Sequence, residues 1–212
     1  MKAWSESQLA GFAANLNRPG SPRNQFRQTE EIITHLTGGG SVLLTGTDGG
    51  PAVLAVVADT LAKGRTRVLQ VRPPLDLPGF MEQVGQTGNA PGDDDVERGF
   101  NALTTLDPGC DRIVLLVEDA HLLPHPTLFY LQFVLHAGPP LQLAFAGGPG
   151  IADALALEGF AGLRGRFSLH LTMSAPSPET AEPATQEGRY RWLTRILPAG
   201  MTGLLGVARR RA

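Results

Sequence analysis

The chain has little that would tie it to an oxidising, membrane-spanning or strongly charged setting. One of its 212 residues is cysteine, Cys110. A lone thiol excludes an internal disulfide framework and the paired cysteines of a structural zinc site, and it suits a reducing compartment. Beside a strand such a thiol reads as a structural residue, buried or half-exposed. No run reaches the roughly 18 apolar residues that span a bilayer, and the opening MKAWSESQLAGFAANL lacks the long apolar core of a secretory signal. A cytoplasmic protein is therefore expected. Net charge is missing too: 18 basic against 20 acidic residues leave -2. No overall basic field draws the chain to DNA, and no specific nucleic-acid partner is expected. What remains is globular, with 42% apolar and 18% charged residues. The length suits one domain with appendages.

The chain is organised around Ser41 to Asp59, SVLLTGTDGGPAVLAVVAD, which reads as an apolar strand, a glycine-rich turn and a helix. That is the layout of a phosphate-cradling loop. The working pattern is G-x-x-x-x-G-K-[ST]: backbone N–H groups wrap the phosphates, lysine neutralises them and the hydroxyl holds magnesium. Gly46 fits the first glycine, but the second falls on Pro51, the lysine on Ala52 and the hydroxyl on Val53. Proline removes an N–H donor, alanine the charge and valine the metal-binding oxygen. Gly46, Gly49 and Gly50 still leave amides near a helix N-terminus, which attract anions.

Turn residues and periodicity divide the rest. Residues 1–24 form an extension with a helical pattern at Trp4, Leu9, Phe12 and Leu16, broken by a loop from Asn17 to Pro22. Helices are expected at Arg27–Thr37, Val53–Lys63, Val96–Leu106, Pro126–Ala137 and Ile151–Leu157. Strands are expected at Val42–Leu44, Arg67–Val71, Arg112–Val117, Leu141–Ala146 and Phe167–Leu171. Residues 72–95 read as a long surface connection with one helical turn at Phe80–Val84, and Asp93, Asp94 and Asp95 as the cap of the next helix. Strand alternating with helix implies a parallel sheet covered on both faces, an α/β core over residues 25–173. Residues 174–189, rich in proline, threonine and glutamate, form a linker. Residues 190–212 are a tail with an apolar middle and basic ends.

Over residues 23–173 the order of these pieces resembles the AAA+ P-loop ATPases, most closely the ExeA-like branch associated with type II secretion. The stretch Gly38-Gly39-Gly40-Ser41-Val42-Leu43-Leu44-Thr45-Gly46 is similar to the approach to that family's phosphate loop. Leu115-Leu116-Val117-Glu118-Asp119-Ala120-His121 is similar to its second acidic motif, with the two acids exchanged. Leu141 to Pro149 resembles the next strand, although Ala146, Gly147 and Gly148 offer no polar group to sense a terminal phosphate. The resemblance implies a three-layer P-loop core lacking most of the helical lid. It also implies that Arg164 and Arg166 stand where such families place arginines reaching a neighbour's nucleotide.

Three functions compete. The first is a pseudo-ATPase acting as scaffold or regulator for protein partners, with Glu118 and Asp119 vestigial and no cofactor expected. Here the acids cap the helix after them or pair with an arginine, and Arg164 and Arg166 make surface or interface salt bridges. His121 and His125 are helix-start or surface residues. The tail would recruit partners through Trp192, Leu193, Ile196 and Leu197, which lie at helical spacing. The second keeps ATP or ADP without magnesium as a ligand, or hydrolyses ATP slowly. The third places the protein at the inner face of the membrane through Arg209, Arg210 and Arg211, which follow an apolar run.

Overall fold

The computed structural model describes residues 22–46, 50–73, 76–137 and 141–173, and of residues 22–25, 51–52 and 137 the backbone only. The chain divides into two units, Gln28–Ala175 and Met1–Arg27 with Pro176–Ala212. The N-terminal helical pattern, the linker and the tail lie outside the described residues.

In chain order the elements are α1 (Pro22–Thr37), β1 (Ser41–Thr45), α2 (Gly50–Leu61), β2 (Thr66–Val71), α3 (Leu77–Gly88), α4 (Asp95–Thr104), β3 (Arg112–Val117), α5 (His125–Ala137), β4 (Leu141–Gly147), α6 (Gly150–Ala156), α7 (Ala161–Arg164) and β5 (Phe167–Thr172). Short 3₁₀ turns at Ala120–Leu122 and Glu158–Phe160 complete them. Pro22, expected to end a loop, instead opens α1, where its fixed φ and missing N–H do no harm. At the other end of α1 the Arg112 guanidinium donates to the carbonyl oxygens of Leu36, at 3.2 Å, and Thr37. A cation there also suits the negative end of the helix dipole.

All strand pairs are parallel, and the order is β2-β3-β4-β1-β5. Alternation along each strand sorts the core into two halves. Val42, Leu44, Val114, Leu116, Ala144 and Ala146 meet α1 and α2 on one face. Leu43, Leu69, Ile113, Leu115, Leu143 and Phe145 meet α3 to α7 on the other. This makes three layers. Ile113 to Val117 are at most 1% exposed, and burying each such side chain contributes about 1.5–3 kcal/mol. The uninterrupted apolar run of β3 therefore belongs at the inside of the sheet.

The segment expected to be a loop with one helical turn is instead the twelve-residue α3. Asp76 accepts from the Gly79 amide at 3.0 Å, a proline sits in the first turn, and Asn89 closes the helix in the left-handed region at φ 46°. Phe80, Met81 and Val84 are buried by it. Its glycines serve a close crossing with α4: a Cβ on Gly85 would lie 2.8 Å from the Arg98 Cβ. The α4 cap is as expected, with Asp94 Oδ1 accepting from the Glu97 amide at 2.7 Å.

Candidate functional site

Neighbouring strands β1 and β4 send their chains in opposite directions, β1 back to β2 and β4 on to β5. In open parallel sheets the crevice at such a reversal, beyond the carboxyl ends of the strands, is where ligands bind. The exits of β1, β3 and β4 and the start of α2 bring Gly46, Gly50, Glu118, Asp119 and His121 to this edge.

The exit of β1 is held from both sides. The Gly46 amide donates to the Gly147 carbonyl at 2.9 Å, and the Met173 amide to the Thr45 carbonyl at 2.6 Å. Gly46 has φ +148°, and a Cβ there would lie 2.0 Å from the Met173 carbonyl oxygen. Only glycine fits that crossing. The α2 helix begins against the end of β4, since a Cβ on Gly50 would come 3.1 Å from the Ala146 Cβ. Gly49 lies outside the described residues, and Pro51 and Ala52 are placed by backbone alone in the first turn of α2. Val53, where the template wants a hydroxyl, is 1% exposed and packs in the core with Val42 and Leu44.

Beyond β3 the two acids part company. Glu118 is held by Arg72, the residue just after β2: Nε donates to Oε2 at 2.7 Å and Nη2 reaches the same oxygen. The Arg72 amide donates to Gln83 Oε1 at 2.9 Å, and the Glu118 amide to the Val71 carbonyl at 3.0 Å. The Glu118 side chain is 17% exposed and that of Arg72 61%. The hydrogen bond to Glu118, and then its charge, hold the Arg72 guanidinium above its ordinary pKa; burial opposes this and Asp119 adds a smaller share. Asp119 is left-handed, at φ 48°, and opens the 3₁₀ turn without a side-chain cap bond. Of the two roles read from the sequence, the structure shows arginine pairing for Glu118, and among the described residues neither acid caps α5.

The turn after β3 folds over the end of β4. His121 Nδ1 accepts from the Gly148 amide at 3.1 Å. A Cβ on Gly147 would lie 2.9 Å from that nitrogen and 3.0 Å from the His121 amide nitrogen. The imidazole thus lies against the end of β4. His125 instead packs its ring edge-on to Phe160, centroids 5.5 Å apart. Among the described residues no three His, Cys, Asp or Glu side chains are grouped to hold a metal ion.

Arg164 and Arg166 are exposed and away from these groups in hydrogen bonding: Arg166 Nη2 donates to the Leu135 carbonyl at 2.9 Å, on the last turn of α5. The salt bridges expected of them are not formed among the described residues. Trp192, Leu193, Ile196, Leu197 and Arg209 to Arg211 lie outside the described residues. Sequence reasoning missed Arg72. The signal was the parallel register, which sets Val71 beside Val117 and hence Arg72 beside Glu118.

Among the described residues no helix is long and apolar enough to cross a membrane. No family model and no curated protein matches the chain. Solved structures do. Cdc6p from Pyrobaculum aerophilum superposes with TM-score 0.55 at 13% identity, covering 73% of this chain and 46% of that one. The Aeropyrum pernix ORC2 protein, in its ADPNP and ADP complexes, gives 0.54 at 9% identity over 71% of this chain and 46% of that one. A chain of Drosophila ORC bound to AT-rich DNA and Cdc6 gives 0.53 at 16% identity over 98% and 76%. This chain thus spans about half the length of the two archaeal proteins. The five-stranded parallel sheet between two helical layers, shared with these proteins, has the fold of the AAA+ P-loop NTPases.

Proposed function

We propose that this chain is a pseudo-ATPase on the AAA+ fold, of the ExeA-like type, serving as a protein-binding scaffold or regulatory subunit of a larger bacterial assembly. The observation that carries the reading is the capture of Glu118 by Arg72. Glu118 occupies the first acidic place, where the resemblance puts the carboxylate of the magnesium shell. Its Oε2 already accepts from a guanidinium, which cannot lose its proton in a protein.

A magnesium nucleotide does not suit the other groups either. Val53 offers a buried hydrocarbon where the hydroxyl would stand, and Ala52 no charge. Phosphoryl transfer depends on positioned charge around the terminal phosphate, and here that charge is missing or paired. The scaffold part of the reading draws on the surface. Phe129 and Phe133, one turn apart on α5, are 49% and 61% exposed, and exposed aromatic pairs of this kind suit a protein contact. The Drosophila chain belongs to an assembly with further protein; use of the fold inside an assembly is what we carry over. Residues 190–212 enter as the recruiting element on their sequence alone, with Arg209 to Arg211 available to an anionic membrane surface.

A second reading has one observation in its favour: the first turn of α2 opens at the crevice beside Ala146, where backbone amides can hold an anion. ATP or ADP would then bind without magnesium. Equilibrium dialysis of the full chain with labelled ATP separates the cases. No saturable binding below millimolar concentration is expected. Micromolar binding that requires magnesium overturns the pseudo-ATPase, and micromolar binding indifferent to magnesium selects the second reading.

A further inference from the structure

We propose that the Arg72 guanidinium is a built-in counter-ion, filling at the carboxyl edge of the sheet the electrostatic place that a divalent cation would take beside Glu118. The inference rests on the pseudo-ATPase reading and extends it, by saying what balances the charge that the degenerate site retains.

Three observations carry it. Parallel strands stand about 4.8 Å apart, and the register Val71 beside Val117 makes Arg72 and Glu118 the next pair along. The contact follows from the fold itself. Second, Glu118 is only 17% exposed, and an ionised carboxylate withdrawn from water needs a partner. Two nitrogens of one guanidinium converge on Oε2, and the charge of Asp119 also acts on Arg72. Third, the lysine position of the loop holds Ala52, so the loop brings no cation of its own to the acids. One permanent cation is therefore paired with Glu118, and among the described residues no salt bridge joins it to Asp119. The Arg72 amide, held by Gln83, ties the same residue to α3.

If the guanidinium occupies a cation's place, removing its charge should open that place to a cation. The test is thermal unfolding of the full chain as wild type, Arg72→Gln, Arg72→Lys and the double variant Arg72→Gln with Glu118→Gln. Manganese chloride is titrated against sodium chloride at matched ionic strength. Wild type and Arg72→Lys should not respond to manganese. Arg72→Gln should melt lower, and its Tm should climb by about 3–6 °C at manganese tenfold above the dissociation constant. The double variant should lose that climb. Arg72→Ala serves in the same comparison if Arg72→Gln does not fold. An Arg72→Gln chain indifferent to manganese, or a double variant that responds equally, overturns the counter-ion. Magnesium-dependent ATP binding by the wild-type chain would instead overturn the reading beneath it, so the two failures are told apart.

Discussion

Replacing Gly46 by alanine tests how the exits of β1, β4 and β5 lock together at the crevice. The new Cβ would sit 2.0 Å from the Met173 carbonyl oxygen and 2.9 Å from its carbonyl carbon, with φ at +148°. The nearest atoms are backbone, so no side-chain rotation relieves the overlap. Holding an L-residue in this region costs about 1–3 kcal/mol. Moving Met173 away breaks its amide bond to Thr45, now 2.6 Å, a loss of about 0.5–1.5 kcal/mol. With the residual overlap the total is about 3–5 kcal/mol, a large part of the roughly 5–15 kcal/mol that stabilises a domain. Gly109 is the control: φ is +92° and nothing lies within 4 Å of its would-be Cβ, so Gly109→Ala should cost only about 1–2 kcal/mol. Urea unfolding followed by circular dichroism reads both, provided the m-value stays constant. A Gly46→Ala chain no less stable than Gly109→Ala would refute the reasoning.

Other perturbations probe the frame around the site. Arg67 is 7% exposed and donates to the carbonyl oxygens of Thr105, at 2.7 Å, and Gly88. Arg67→Met should therefore lose about 2–4 kcal/mol by urea unfolding, and a loss below about 1 kcal/mol would contradict the assigned role. Asp94→Ala should cost about 1 kcal/mol and speed amide exchange in the first turn of α4, whereas Asp94→Asn should largely restore both. Burial raises the pKa of Tyr130 above its ordinary value. The unfolded chain then releases this proton first, so the stability it brings is complete below about pH 10 and is lost as pH rises through the higher folded value. Tyr130→Phe should flatten that alkaline loss; identical pH profiles would contradict it.

Much of the sheet was legible because strands buried on both faces announce themselves as unbroken apolar runs. Arg112–Val117 has the bounds read from its sequence, and the others differ by a residue or so at their ends. The α3 helix was not legible. Its proline and glycines read as loop signals, and what outweighs them is tertiary: a capping Asp76, three buried apolar side chains and a neighbour that needs Gly85 to be small. At the candidate site, the departures of Pro51, Ala52 and Val53 from the loop template could be read residue by residue. The contacts that Glu118 and His121 make could not. Arg72 is a charged residue before a proline, with nothing local to mark it, and it meets Glu118 across a register that only the assembled sheet defines. His121 likewise reaches Gly148 over 27 positions of chain.

The most direct measurement of the central claim is phosphate release by the full chain in millimolar Mg-ATP, set beside a Glu118→Gln, Asp119→Asn chain purified in the same way. The account predicts that both release phosphate no faster than buffer alone. Turnover above that level in the wild-type chain, abolished by the two substitutions, would contradict it.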